Sequence, residues 1–359
     1  TPSTPDVPEH TYTGGFCAVC GIIDPDHLTP NEEGYYEIAN GSDLAWFSQL
    51  VNINKLTDVN AKLVADIEME DIDNERFKAI GTETSPFVGH FDGQHHYIDW
   101  LNVYQPTTRG VGLIGAVAGP AVIENLTLEE NCSIVGQGYV GLVGFSTPAG
   151  GTVTFTNLGN KGLVQCTTGA NAGGLVGCCM SSACTFVITN CYSMATILGV
   201  NENGAFSGWL GDNAVLTNCW AGTEVSGTDS GKEFCRFGSN AKFTNCWTVQ
   251  GTQVNNFSAD QIETGQLAWR MNGSKFTDPI WYQNLNEGDA HPVTDSTRGM
   301  VYYVYNTYGS VSNEDEYIEL LDLMQSQVYE YTSELVAERL LVEEYEAEAE
   351  ALPAWEYES

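Results

Sequence analysis

The residues best suited to metal chemistry lie near the N-terminus of the 359-residue chain. A Cys17-Ala-Val-Cys20 motif is flanked by His10 and His27, each seven residues from the nearer cysteine. Thiolates and imidazoles are the usual ligands of tetrahedral zinc. A single CxxC motif also fits a local disulfide or a reduced pair, because no second motif supplies further ligands. The sequence therefore predicts no cofactor and marks His10, Cys17, Cys20 and His27 as candidate ligands of a structural zinc ion, with a local disulfide or a reduced pair as the alternatives.

Three aromatic residues recur at one position of a repeated motif. Tyr192, Trp220 and Trp247 each follow an Asn-Cys pair. If the cysteines face the interior of a β-structure, strand alternation directs the aromatic rings outward. Rings about 4.8 Å apart would form a flat stripe that stacks on sugar rings or anchors a protein. We predict a ligand-binding stripe, and the alternative is that the C-terminal segment covers these rings.

Catalytic groups are sparse. The densest polar cluster contains His90, Asp92, His95 and His96, but the Phe-Asp-Gly sequence around Asp92 is typical of a turn. A glycan-cleaving site needs paired carboxylates at a defined separation, and no such pair recurs among the central acidic residues. These residues are Glu202, Asp212, Glu224, Asp229 and Glu233. The sequence predicts that the protein is not an enzyme, with a polysaccharide-active β-helix as an alternative.

These residues belong to a repeating sequence. A Gly-apolar-apolar-Gly quartet begins at residues 112, 141, 174 and 208, and a degenerate copy begins at residue 235. A short β-type run containing Asn follows each quartet. The runs cover residues 123–126, 155–158, 188–191, 216–219 and 243–246. Two independent markers with one period of 27 to 34 residues indicate true repeats.

The repeat predicts the fold. A unit of short apolar runs and glycine cannot bury its own core, whereas stacked units bury each other's apolar faces. The runs are short and β-branched, unlike the 3.6-residue pattern of helical repeats. Glycine at both ends of a quartet suits corners with positive φ or close backbone approach. We predict an all-β solenoid, a right-handed parallel β-helix.

The eleven cysteines cannot all pair within the chain, because their number is odd. Cys191, Cys219 and Cys246 occupy the position that Leu126 and Leu158 fill in earlier repeats. We predict that they are small buried side chains stacked in a ladder. Disulfides between vertical neighbours are the alternative, although their geometry is demanding.

Three further segments accompany the quartets. They cover residues 34–52, residues 62–93 with the Phe-Asp-Gly turn, and residues 265–292. In this order the motifs resemble the GLUG-motif β-helix proteins, which are secreted by gut bacteria or attached to their surface. The resemblance spans residues 10–305, with a departure at His95, where the family commonly has glycine. It implies a surface β-solenoid and no known chemistry.

Charge is concentrated at the two ends of the chain. The formal net charge is -34, of which residues 1–100 and 314–359 each carry -14. So acidic a chain excludes binding to nucleic acid or to an anionic bilayer by charge attraction. No apolar run is long enough to span a membrane. The nearly neutral middle fits stacked coils, in which columns of like charge would be unfavourable.

Helices are predicted at both ends. Residues 42–52 form a short amphipathic cap helix that begins after Asn40 or Ser42. A long acidic amphipathic helix follows Asn313 and ends near Ala351, before Pro353. It is a stalk or partner-binding helix, or it packs along the solenoid. Its apolar positions are Tyr317, Leu320, Leu321, Met324, Val328, Tyr331 and Leu335.

The predicted organisation has four parts. Residues 1–33 form a linker and the CxxC segment, residues 34–256 the β-helix, residues 257–311 a C-terminal capping segment, and residues 312–359 the acidic helix and tail. We predict a non-catalytic extracellular protein of the bacterial cell surface that adheres to a surface glycan or to a host or bacterial protein. The alternative is a subunit that self-assembles into a filament or surface layer through its acidic helix.

Overall fold

A computed structural model describes residues 10–72, 76–147, 150–179, 184–200, 202–211, 213–223, 225, 234–235 and 241–350. Residues 1–9 of the predicted linker and CxxC segment, and the chain after residue 350, lie outside the described residues. The same holds for residues 236–238 of the degenerate quartet. Four of the central carboxylates also lie outside, namely Asp212, Glu224, Asp229 and Glu233.

Parallel strands stack into a β-solenoid of about five turns, which confirms the predicted fold class. Three sheets run along the stack. Sheet 1 contains 14 strands, at Tyr35–Ile38, Asn60–Leu63, Ile67–Glu68, His90–Asp92, Tyr97–Asp99, Val122–Leu128, Gly151–Asn160, Cys184–Thr189, Tyr192–Ser193, Val215–Thr217, Trp220–Ala221, Lys242–Thr244, Trp247–Thr248 and Asn255–Asn256. Sheet 2 contains Asn102–Val111, Ser133–Val140, Leu163–Cys166 and Thr196–Leu198. Sheet 3 contains Ile114–Val117, Val143–Ser146, Val176–Cys178 and Ser207–Trp209.

The interior of the coil is apolar and stacked in register. Parallel pairing in sheet 1 aligns one inward-facing column through successive coils. This column consists of Ala61, Phe91, Ile123, Phe155, Ile188, Leu216 and Phe243. Each coil therefore buries the apolar face of its neighbour, as the repeat predicts.

Cysteines continue this interior toward the C-terminal coils. Cys191, Cys219 and Cys246 are at most 1% exposed, which confirms the predicted ladder of small buried side chains. All eleven cysteines lie in the described part of the chain and are free thiols, so the alternative of vertical disulfides is not adopted. Burial raises the pKa of the Cys219 thiol far above its ordinary value, which keeps it neutral in the core.

The quartet glycines are required by close packing. None of the eight glycines in the four complete quartets has a positive φ. A Cβ on Gly144 would lie 2.5 Å from the carbonyl oxygen of Gly115, and one on Gly141 would lie 2.7 Å from the carbonyl oxygen of Gly173. Of the two sequence-based explanations, close approach between backbones is therefore the correct one.

A helix closes the N-terminal end of the solenoid. Helix α1, Gly41–Asn54, begins at Asn40, whose side chain accepts a hydrogen bond from the Asp43 amide. Leu44, Trp46 and Phe47 are buried against the first coils. The predicted cap helix is confirmed, three residues longer than the sequence pattern indicated.

The C-terminal part forms a cap with its own apolar cluster. It contains α2 (Asp260–Glu263), α3 (Gln266–Met271), a 3-10 turn at Leu285–Glu287 and an antiparallel hairpin of Met300–Val304 and Thr307–Val311. Helix α4, Glu314–Glu350, follows. Asn313 Oδ1 accepts from the Glu316 amide at 2.9 Å, and Glu316 Oε2 accepts from the Ser312 amide at 2.7 Å. This reciprocal capping explains why the long helix begins where predicted.

Candidate functional site

A short hairpin forms the first described segment of the chain. Strands Tyr12–Thr13 and Phe16–Cys17 pair so that Tyr12 lies opposite Cys17. Gly14 and Gly15 make the turn with φ of +58° and +82°, which glycine adopts without strain. Phe16 is buried in the solenoid core and anchors the hairpin. Cys17 therefore occupies a fixed position at the N-terminal end of the solenoid.

Three of the four predicted metal ligands meet beside this hairpin. His10 Nδ1 lies 3.4 Å from Cys17 Sγ and 3.5 Å from Cys20 Sγ. The pKa of Cys17 is lowered to about 6, chiefly by the backbone amide of Cys20, then by the His10 ring and the amide of Val19. Cys20 is exposed, whereas Cys17 is buried. The arrangement presents two sulfurs and one imidazole nitrogen to a common point.

His27 is not part of this cluster, so the four-residue ligand set is wrong at that position. His27 Nε2 lies 2.8 Å from Asp43 Oδ1, and the ring packs beside Trp46. The other carboxylate oxygen of Asp43 accepts from the Ala39 amide at the start of α1. The capping carboxylate of α1 thus fixes His27, which joins the N-terminal segment to the cap helix.

The predicted aromatic stripe exists as a column but is covered. The rings of Tyr192 and Trp220 stack 5.1 Å apart and 9° from parallel. Their strands pair with each other, and the Trp220 strand pairs in turn with that of Trp247. Strand alternation does place these rings outside the coil, apart from the inner core. However, Tyr192 is 3% exposed and Trp220 0%, and Trp247 is partly buried. An exposed ligand-binding stripe is therefore contradicted.

The C-terminal cap provides the cover. Trp281 meets the Trp220 ring edge-on at 6.1 Å, and Phe257 does so at 6.3 Å. His291 lies 5.2 Å from the Tyr192 ring. Trp281 and Phe257 join Tyr192 and Trp220 in a second apolar cluster outside the coil, so the aromatic column attaches the cap to the solenoid.

A polar cavity of about 410 Å³ lies beside this junction. Lys161 and Glu130 line it from the solenoid, and Asp289, His291 and Arg298 line it from the cap. Arg298 Nη1 donates to Asp289 Oδ1 at 3.0 Å. Burial, and then the charge of Lys161, lower the pKa of His291 to about 4, so the ring is neutral at pH 7. No sequence pattern indicates this cavity, because its two walls are more than 90 residues apart in the chain.

The polar cluster around Asp92 joins neighbouring coils. His90 Nε2 lies 2.8 Å from Glu124 Oε1, and His90 Nδ1 lies 2.6 Å from the Tyr35 hydroxyl. Asp92 Oδ1 accepts from the Gln94 amide, as expected for a turn. His90, Asp92 and Glu124 also bring ligand-type atoms within 4.8 Å of one another. Since both nitrogens of His90 already have partners, this cluster serves as a cross-link between strands.

Asp92 also ends a ladder of asparagines. The side-chain NH₂ of each asparagine donates to the side-chain oxygen of the asparagine in the preceding coil, at 2.8 to 3.2 Å. The first asparagine donates instead to Asp92 Oδ1, at 3.0 Å. All members have a left-handed φ between +49° and +56°, which asparagine tolerates better than most residues. The ladder consists of Asn125, Asn157, Asn190, Asn218 and Asn245. The Asn of the sequence repeat thus turns the chain and connects the coils.

Among the side chains that the structure describes, helix α4 meets the C-terminal cap along its first half. Tyr317 stacks on Phe276 at 3.9 Å, and Met324 lies in a groove with Tyr305 at the tip of the C-terminal hairpin. From Gln325 to Glu343, every side chain that the structure describes is exposed. Packing along the solenoid is therefore excluded for this described stretch, and the stalk or partner-binding interpretation fits it. No helix within the described residues is long and apolar enough to cross a membrane.

Comparison with known proteins gives limited matches. No protein-family model matches the chain. The chain is 30% identical over 177 residues to Halomucin from Haloquadratum walsbyi, which covers 46% of this chain but only 2% of Halomucin. It is also similar to a crystal structure from Bacteroides ovatus, provisionally described as an immunoglobulin A1 protease. That match has 17% identity and a TM-score of 0.48, and covers 74% of this chain and 94% of the other.

These matches correct one prediction and leave another open. The prediction that the protein is not an enzyme is contradicted, because the similar Bacteroides ovatus structure is described as a protease. At this identity and TM-score, the similarity assigns no reaction or catalytic residue to the present chain. The resemblance to GLUG-motif proteins stays a prediction, although the β-solenoid that it implies is confirmed.

Proposed function

We propose that this protein is a cell-surface binding module that holds a protein partner through α4. The supporting observation is the set of large apolar side chains that α4 exposes. These are Ile318, Leu323, Val328, Tyr331, Leu335, Val336, Leu340, Leu341 and Val342, each at least 46% exposed. Four of them, Val328, Tyr331, Leu335 and Val342, recur at helical spacing on one face, and an exposed apolar face of this kind marks interaction sites in soluble proteins.

The spacing along α4 suits a partner helix. Tyr317, Leu321, Met324, Val328, Tyr331, Leu335 and Val342 follow alternating steps of four and three residues, with Glu338 at the one polar position. This 3.5-residue period is that of a coiled-coil seam, which remains on one side of a supercoiled pair. The seam is exposed from Val328 onward, and an extended helix with an exposed apolar seam is a common form of protein recognition.

Charge indicates the chemistry of the partner. Residues 314–350 contain thirteen acidic side chains and a single basic one, Arg339. A basic helix with an apolar seam would pair its Lys and Arg side chains with this acidic surface. A second copy would instead bring like charges together and place Glu338 beside its counterpart. We therefore propose a basic amphipathic helix of another protein as the occupant.

The cell-surface location is part of this proposal. It is supported by the resemblance to surface-attached β-helix proteins and by the partial match to Halomucin, a protein named as a mucin. Protease treatment of intact producing cells provides the test. We expect the protease to cleave this chain while a cytoplasmic marker protein stays intact. Protection of both proteins would contradict the cell-surface location.

Two synthetic helical peptides test the partner chemistry. One carries leucine at the seam positions and lysine beside them, and its matched control carries glutamate in place of lysine. Fluorescence anisotropy with the full chain should show binding of the lysine peptide that weakens as salt rises. Equal binding of both peptides, or none of the lysine peptide, contradicts the proposal. Concentration-dependent self-association by sedimentation would favour the filament alternative instead.

Variants of α4 locate the contact. The double variant Leu335→Gln/Val342→Gln removes two apolar seam side chains. It should weaken peptide binding about 100-fold or more, because each substitution loses roughly 1.5–3 kcal/mol of free energy from apolar burial. Leu340→Gln is the matched control, because Leu340 is as exposed but lies off the seam. Similar losses in the seam and control variants would show that the seam is not the contact surface.

A further inference from the structure

We infer that His10, Cys17 and Cys20 bind a zinc ion whose fourth coordination position faces solvent. The inference is independent of the proposed partner helix, since this site belongs to the opposite terminal segment of the chain. It also replaces the four-residue set suggested by sequence spacing, because His27 is held by Asp43.

The distances are those of one face of a zinc tetrahedron. Zinc bonds of about 2.3 Å to sulfur and 2.0–2.1 Å to nitrogen, at tetrahedral angles, put the two ligand atoms about 3.5 Å apart. His10 Nδ1 lies 3.4 Å from one sulfur and 3.5 Å from the other. Both nitrogen–sulfur separations therefore fit one zinc ion, and the three ligand atoms all lie within 4.8 Å of one another.

Hydrogen bonding alone explains this arrangement less well. A neutral imidazole nitrogen offers either one hydrogen or one lone pair in the ring plane. It cannot make good hydrogen bonds to Cys17 Sγ and Cys20 Sγ together, although both sulfurs lie at nearly equal distances. A disulfide is not formed either, because both cysteines are free thiols. A shared metal ion satisfies all three groups at once.

The donor set selects zinc and leaves one position open. Two thiolates and an imidazole favour zinc over magnesium or calcium, which prefer oxygen ligands. Within the described residues, no other His, Cys, Asp or Glu joins this three-residue group. Cys20 is exposed, so water can complete the tetrahedron. Zinc would lock the segment before the hairpin onto the turn that follows it.

Metal analysis of the full chain tests the inference. The protein is purified with a phosphine reductant, loaded with zinc, passed through a desalting column and analysed by mass spectrometry for metal. We expect about one zinc per chain. Cobalt substitution should give sulfur-to-cobalt charge transfer and intense tetrahedral visible bands. Added imidazole should shift these bands, because the fourth position is open.

Single substitutions decide which residues bind. His10→Ala, Cys17→Ser and Cys20→Ser should each weaken zinc affinity about 100-fold or more, with the far-UV circular dichroism of the solenoid retained. His27→Gln and His95→Asn are controls and should keep the full zinc content. The inference is overturned if the parent chain binds no zinc under reducing conditions. It is equally overturned if His27→Gln loses zinc while Cys20→Ser keeps it.

Discussion

The asparagine ladder allows a quantitative prediction at Asn157. Its side chain donates to Asn125 Oδ1 at 2.8 Å and accepts from Asn190 Nδ2 at 3.2 Å, and its φ is +54°. Asn157→Ala removes both bonds, which costs roughly 1–1.5 kcal/mol each because the two partner groups are partly buried. Alanine in the left-handed region adds about 1 kcal/mol. We expect a total loss of about 3–4 kcal/mol.

Asn157→Gly separates the two contributions. Glycine loses the same hydrogen bonds but adopts the left-handed φ freely, so the expected loss is about 2–3 kcal/mol. Urea unfolding followed by far-UV circular dichroism measures both variants. Asn131→Ala is the control, because its side chain makes one exposed hydrogen bond to Asp99, and it should change stability by less than about 0.5 kcal/mol. Losses at Asn157 no larger than that of the control would refute the ladder argument.

Three further predictions concern other parts of the fold. The buried imidazole of His291 has a pKa of about 4 in the folded state and about 6.5 when unfolded. Stability should therefore fall by about 3 kcal/mol as pH drops from above 6.5 to 4, and His291→Gln should remove this component of urea unfolding curves. In native, chelator-treated protein, Ellman's reagent should modify the exposed Cys20 first and Cys17 second, and no other thiol. After unfolding it should modify all eleven thiols. Rapid reaction of more than two thiols in the native protein would contradict the buried ladder. Gly174→Ala should lower stability by about 3 kcal/mol or prevent folding, because its Cβ would lie 2.6 Å from Ser193 Cβ and 2.9 Å from the Ala205 carbonyl oxygen, which rotation of the serine side chain cannot relieve. A wild-type unfolding midpoint would show that this close approach is wrong.

The sequence pattern predicted the solenoid because the residues that determine this fold recur in each repeat. The Gly quartets and the Asn runs each report a constraint that one coil imposes on the next. The glycines report backbone contact, and the asparagines report the left-handed turn and its hydrogen bond. The capping residues Asn40 and Asn313 are likewise local signals, so both the cap helix α1 and the long helix α4 could be placed from the sequence.

The candidate sites depended on contacts that sequence spacing does not encode. Alternation correctly placed Trp220 outside the coil, but Trp281, which covers it, comes sixty residues later in an irregular segment. His27 and His10 have symmetrical spacing about the CxxC motif, yet the Asp43 carboxylate holds His27 at the start of α1. The cavity beside His291 is equally nonlocal, since its lysine comes from a coil far upstream.

The direction of the asparagine ladder has a consequence for how such a chain can change in length. Every interior asparagine gives one hydrogen bond to the coil before it and takes one from the coil after it. A whole coil can therefore be duplicated or deleted without leaving an unpaired amide. Only the two ends need special partners, which are Asp92 at one end and Trp247 with the Met271 carbonyl at the other. The protein is thus built so that its number of coils can vary while both terminal caps stay the same.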